Sequence, residues 1–325
     1  MIRWEAHTCL PLHPDASFEP LGAYRSAGVH HVCLNVGMDM NPLEQILPVL
    51  ASFRERLRAQ PQLYRLVQSV DDIEQAGTTG QLAVGFDLEG SLPLQERPEM
   101  VTLFRDLGVR QMHFAYNRNN AVAGGCHDTP QGLTALGRRM VAAVNDAGVL
   151  MDCAHTERRT TLDIMACSRH PVIFSHANPL ALVDHGRNIT DEQIRACAAT
   201  GGVVCISGVS RFLGVEVPTA IEVARHIAHV AERVGPQHVG IGLDIGFSEP
   251  PLDDAPPGNF EPGYWWPASA GYGHGLDQMR YVPVSTWREL PGALHAVGLS
   301  TTEIDGVLGD NMVRVARQVW DGGQS

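Results

Sequence analysis

Two apolar runs that each end in a histidine constrain this chain more than any other feature: Leu150-Met-Asp-Cys-Ala-His155 and Pro171-Val-Ile-Phe-Ser-His176. Between them, Thr160-Thr-Leu-Asp-Ile-Met-Ala-Cys reads as a short helix, and no hairpin turn joins the runs. Strand, helix, strand without a hairpin is a βαβ unit, so the strands are expected to run parallel and to present both imidazoles at one end. Zinc and similar divalent metals favour paired imidazoles.

The rest of the chain repeats this unit. Strand-like runs at 2–7, 30–36, 82–89, 111–117, 203–207 and 238–244 alternate with helical spacing at 42–60, 98–107, 134–147, 190–199 and 220–234. Helices near 287–297 and 301–319 close the chain. Thr190-Asp-Glu-Gln193 and Ser300-Thr-Thr-Glu303 are capping boxes, and Gly148 stands where a helix over 134–147 would end. Eight strands alternating with helices point to an α/β fold, a (β/α)8 barrel in one domain spanning 1–325. A doubly wound open sheet is the alternative, but it needs fewer strands and usually a glycine-rich phosphate turn, which this chain lacks. The 119–132 segment reads as a loop over the rim. The excursion at about 250–275, rich in proline, glycine and tryptophan, reads as a lid or interface. Tyr264-Trp265-Trp266 would anchor such an interface, which leaves a homodimer open.

Hydrophobic residues make up 44% of 325 residues and charged ones 18%, enough apolar material for a large core. No apolar run is long enough to span a bilayer. A formal charge of −12 argues against nucleic acid or an anionic membrane as partner. The chain opens directly into a strand without a charged and apolar leader, so a cytoplasmic location is the expectation. Seven cysteines with no CxxC pair, several of them (Cys33, Cys153, Cys205) inside apolar strands, read as reduced core residues.

In a barrel, the carboxyl ends of the strands meet on one face, where active sites are built. The last polar residues of the strands are His7, Glu89, Tyr116 with Asn117, His155, His176 and Asp244. One histidine at a strand end is more often structural than a ligand; three with two carboxylates at equivalent ends point to a metal site. His155, His176 and Glu89 make a His2Glu set with a position left for water. Sharing Glu89 with His7 would add a second metal and a water of lowered pKa between the two. Cys9, on the same face as His7, is either a thiolate ligand or a buried thiol. Asp244 reads as the carrier of that water's proton to a leaving amine, with a further ligand as the alternative. Arg187 suits bidentate capture of a substrate carboxylate, against the alternative of a plain surface arginine. Asp87 either supports the ligands or faces away. His170 and His185 read as loop residues outside the chemistry, His226 and His229 as surface or structural residues of a helix.

At this point the chain resembles the membrane (renal) dipeptidase family of zinc metallopeptidases. The resemblance rests on Glu5-Ala-His7-Thr-Cys9, Phe86-Asp-Leu-Glu89-Gly, Gly132-Leu-Thr, Asp152-Cys-Ala-His155, Phe174-Ser-His176, Arg187-Asn188, Gly242-Leu-Asp244 and Gly309-Asp-Asn311-Met-Val-Arg-Val. It implies a barrel holding two zinc ions and hydrolysis of small dipeptides, with a D-residue tolerated at the C-terminal position. Carried over residue by residue, His7 and Glu89 bind one metal, and Glu89, His155 and His176 bind the other. Arg187 grips the substrate carboxylate and Asp244 handles the proton. Tyr116 and Asn117 join Arg187 in contacting the substrate.

Two positions depart from the family pattern. Cys9 stands where the family has an aspartate on the first metal, so one zinc or two is open. Tyr116 aligns where the family often has a histidine that steadies the tetrahedral intermediate; its hydroxyl could still donate to an oxyanion. The family's membrane anchoring is not carried over, because neither a leader nor a lipid-attachment tail is visible. The expectation is a bacterial cytoplasmic-type dipeptidase in which a water bridging the metals attacks the peptide bond. Its alternatives are a one-metal amidohydrolase of another small amide or ester, and a non-catalytic relative that keeps the metal.

Overall fold

In the computed structural model, which describes residues 1–249, 261–272 and 279–322, strands and helices alternate along the chain. The strands are β1 (Trp4–Cys9), β2 (His31–Met38), β3 (Tyr64–Leu66), β4 (Leu82–Glu89), β5 (Val109–His113), β6 (Leu150–Asp152), β7 (Val172–Phe174), β8 (Val203–Ile206), β9 (Val239–Ile241) and β10 (Ile245–Gly246). All pair in parallel, in the order β10-β1-β2-β4-β5-β6-β7-β8-β9, with β3 on β4 beside that path. β9 and β10 are successive pieces of one run, and Ile245 and Gly246 pair with Thr8 and Cys9 of β1. The sheet thus returns to its first strand as the expected α/β barrel.

Helices lie where periodicity puts them: Leu43–Ala59, Glu99–Asp106, Ala135–Ala147, Asp191–Ala199, Ala220–Val234 and Thr286–Ala296. Their ends follow cap chemistry. The Thr134 side chain accepts from Gly137 N, Gly148 takes φ +63, and Thr190 with Gln193 closes a capping box.

Three departures from the sequence reading have local causes. β3 is too short to carry a period; it pairs with Leu82–Val84, the stretch of β4 ahead of the β5 pairing that starts at Phe86. β5 stops at His113, short of the expected Asn117, because the chain turns out of the sheet there and Asn117 takes φ +61. The helix expected over 301–319 divides into Thr301–Asp305 and Asn311–Trp320, with a wider turn at Gly306–Asp310. There the backbone of Gly309 touches the start of the chain: a Cβ would stand 2.3 Å from the Ile2 carbonyl oxygen.

Trp4, Leu150, Val203, Met312, Val315 and Trp320 pack at the amino ends of the strands. That apolar plug leaves the carboxyl ends for polar groups. The excursion at 250–275 falls partly outside the described residues; its 261–272 portion packs Trp265, Trp266 and Tyr272 against Tyr116, Met40, Val209 and Phe212. No described helix is long and apolar enough to cross a membrane.

Candidate metal centre

Alternation along a strand sends every second side chain into the barrel. Polar residues at that spacing face one another here: Glu5 and His7 on β1, Asp87 and Glu89 on β4, Gln111 and His113 on β5. The turns after β6 and β7 add His155 and His176. Asp152 holds both turns, because its Oδ1 accepts from Ala154 N and Ser175 N, each at 3.0 Å. Those donors immediately precede the two histidines.

One atom organises the cluster. Around Glu89 Oε1 lie His155 Nε2 at 3.3 Å, His176 Nε2 at 3.5 Å, His7 Nε2 at 3.6 Å and His113 Nε2 at 3.8 Å. Oε1 is buried and accepts no hydrogen bond, and His113 Nε2 is likewise unpartnered among the described residues. A buried carboxylate oxygen left bare is costly, and nitrogens that only surround it do not remove the cost. The outer nitrogens, by contrast, are engaged. His7 Nδ1 meets Asp87 Oδ2 at 3.0 Å, His155 Nδ1 meets Asn117 Oδ1 at 2.7 Å, and His176 Nδ1 meets Ser175 Oγ at 2.7 Å. Partners on Nδ1 leave Nε2 free as a ligand, the outer-sphere pattern of metal-binding histidines. His7, Glu89 and His176 bring ligand atoms within 4.8 Å of one another, so this set could hold a metal ion.

The electrostatics agree. Burial pushes the Glu89 carboxyl up and pushes His155 and His176 down, so bare charge is disfavoured on these three groups. Burial would also depress His7, but Glu89 and Asp87 outweigh it and hold the imidazole up. A bound cation would relieve the carboxylates and accept the imidazole lone pairs together. Two of the residues carrying this site, His155 at φ +59 and Asp244 at φ +57, hold left-handed backbone that is uncommon without glycine. Gly90, directly after Glu89, has φ +131, and a Cβ there would fall 2.1 Å from Asp39 Oδ1.

A model of the membrane dipeptidase family (peptidase family M19) matches residues 24–255. The chain belongs to the membrane dipeptidase family. It is 28% identical over 301 residues to the dipeptidase tcpJ of Claviceps purpurea, a match that covers 91% of this chain and 63% of that protein. Over 98% of this chain and 97% of the other, it superposes on an amidohydrolase from Pseudomonas aeruginosa with a TM-score of 0.85 and 25% identity. A metallo peptidase from Rhodobacter sphaeroides, solved with a phosphinate mimic of the dipeptide L-Ala-D-Ala, shares the fold. Its TM-score is 0.77 at 19% identity over 98% of this chain and 99% of that one.

In this membrane dipeptidase relative, the remaining predicted residues fall around the cluster. Cys9 Sγ lies 3.3 Å from His7 Nε2, and burial pushes its thiol up to about 12. Asp244 Oδ1 is 3.7 Å from His7 Nε2, and burial raises its carboxyl. Arg187 is buried, not on the surface; its Nη2 donates to the His176 carbonyl at 3.1 Å, its guanidinium lies 5.3 Å from the Phe212 ring, and it pairs with no described carboxylate. The Tyr116 ring stacks on His155 with centroids 4.2 Å apart. Asn117 stands behind His155, fully buried, with its amide engaged by His155 and by the Trp265 carbonyl. Asp87 Oδ2 stands 3.0 Å from His7 Nδ1, beside the ligands and not facing away from them. His226 and His229 are buried on their helix, the latter 3.2 Å from Asp191.

Sequence reasoning passed over His113 and Asp152. The signal for both was present: Gln111 and His113 are polar residues two apart in an apolar strand, and Asp152 is a charge inside the run that ends in His155.

Proposed function

We propose that this chain is a zinc-dependent dipeptidase that cleaves small dipeptides, including those with a D-residue at the C-terminal position. The bare Glu89 Oε1 amid imidazole nitrogens, with Arg187 buried and free of any described carboxylate, is the observation that carries the reading. His7, Glu89, His155 and His176 would hold the metal, with Cys9 beside His7, and when bound it would polarise the scissile carbonyl and acidify water.

The chain's own groups supply the rest. Arg187 receives the substrate's C-terminal carboxylate with a planar fork and fixes the peptide bond over the cluster. Asp244, beside His7, takes a proton from the attacking water and returns it to the departing amine nitrogen. A carboxyl raised by burial is better suited to both transfers than an exposed one. Tyr116 presents a hydroxyl whose pKa burial raises far above its usual value, so it stays protonated and can donate to the developing oxyanion. Trp265 and Trp266 cover Tyr116 and limit water around the reacting atoms.

A second reading is a one-metal amidohydrolase, favoured by the compact His7, Glu89 and His176 set. The test is release of free amino acids from a panel of dipeptides with L- or D-residues at the C-terminal position, with zinc content measured on the same protein. Hydrolysis that disappears on chelation and returns with zinc is expected. Zinc-loaded protein that leaves the whole panel intact would overturn the dipeptidase reading.

A further inference from the structure

The Asn117 side chain is fully buried between a candidate ligand and the covering segment, and its partners fix which end is nitrogen and which is oxygen. Its Nδ2 lies 3.0 Å from the Trp265 carbonyl oxygen. A carbonyl only accepts, so the NH2 group must face Trp265 and Oδ1 must face His155. An amide oxygen only accepts as well, so His155 Nδ1, at 2.7 Å, must carry the proton. That leaves Nε2 as the lone-pair nitrogen, turned toward Glu89 and His176. The backbone of the covering segment therefore selects the His155 tautomer by way of one side chain. The left-handed turn at Asn117, φ +61, brings the amide into this position. Two further bonds brace it: Cys126 N donates to the His155 carbonyl at 2.9 Å, and His127 N donates to the Asn117 carbonyl at 2.9 Å.

We infer that Asn117 is a positioning residue that makes metal binding by His155 and seating of the 261–266 segment one linked event. The inference rests on the metal reading above. Two other contacts of the segment do not reach the histidine cluster: the Arg118 guanidinium lies 4.7 Å from the Tyr264 ring, and Tyr272 OH lies 2.9 Å from His127 Nε2. They hold the segment whatever the metal state. Tyr116 also meets both sides, its ring 4.2 Å from that of His155 and 6.1 and 6.0 Å from those of Trp265 and Trp266, but ring contacts do not select a tautomer; Asn117, hydrogen-bonded to both, carries the part of the coupling that does. Linkage is reciprocal, so a seated segment strengthens metal binding by the factor by which metal strengthens seating.

Aspartate at 117 separates the two contacts. A carboxylate still accepts from His155 Nδ1, and more strongly, but its second oxygen repels the Trp265 carbonyl. Leucine removes both bonds, together with the one that Cys126 Sγ donates to Oδ1 at 3.3 Å. The measurements are zinc affinity by chelator competition and amide hydrogen exchange of the peptide spanning 261–272, with and without zinc. In the unsubstituted protein, zinc should slow exchange in that peptide. Asn117→Asp should bind zinc at least as tightly and show a clearly smaller zinc-dependent change in exchange. Asn117→Leu should bind zinc about 10–100-fold more weakly. Zinc-dependent protection that is undiminished in Asn117→Asp overturns the coupling and leaves the metal reading standing. No zinc uptake by the unsubstituted protein overturns both. Neither readout uses turnover, so the dipeptide specificity is tested separately.

Discussion

The Nε2 atoms of His155 and His176 stand 2.9 Å apart, on turns that follow adjacent parallel strands. At that distance one proton between the nitrogens makes a hydrogen bond, and both nitrogens also lie within 3.5 Å of Glu89 Oε1. A divalent cation bound by both rings would replace that proton with its own charge. The βαβ unit that brings the two rings together is therefore the structural origin of the site.

Cys9 tests how many metals the chain holds. If its sulfur is a ligand, Cys9→Ala should lower zinc content from near two per chain toward one, measured by elemental analysis of protein purified without chelator. The thiol stands at about 12 in the absence of a cation, so only a bound metal would deprotonate it at neutral pH. An unchanged zinc ratio would make Cys9 a bystander and shift weight to the one-metal reading.

Asp244 is assigned the proton, so Asp244→Asn should keep zinc and lose turnover. Amide for carboxylate preserves shape and removes basicity, and a loss of about 10²–10⁴-fold in kcat is expected. Parallel zinc analysis separates this from a ligand role. Turnover within a few-fold of the parent would end the assignment.

Arg187→Lys retains charge but not the fork. For dipeptides with a free carboxylate, kcat/KM should fall by about 10²-fold, with zinc content unchanged. Dipeptide amides lack the group that the fork grips and should be nearly indifferent to the change. An equal loss on both substrates would mean that Arg187 acts through its bond to the His176 carbonyl instead.

His31 gives a pH dependence away from the metal. Buried against the Trp4 ring at a centroid distance of 4.1 Å, its imidazole is driven by burial down to about 3. The unfolded chain takes up the proton at about 6.5, the folded chain only near the lower value. Stability is therefore complete above the unfolded pKa and is lost as pH falls from there toward the folded one. Urea unfolding should show a loss of about 2 kcal/mol from this group between pH 7.5 and pH 5. His31→Gln should flatten that decline; an identical slope in the variant would reject the assignment.

The sequence by itself determined the barrel, because alternating strand and helix periods and caps such as Thr134, Thr190 and Gly148 are local signals. It also named His7, Glu89, His155 and His176, since polar residues ending apolar strands stand out against their neighbours. Local signals do not report which group faces which. That His113 joins the same carboxylate oxygen, that Asp152 fastens two histidine turns, and that Gly309 divides the last helix against Ile2 depend on contacts between residues far apart in sequence. Asn117 shows the limit most directly. Its type and place suggested a polar contact at the rim, but only the packed backbone of Trp265 decided which way its amide turns and so which His155 nitrogen is free.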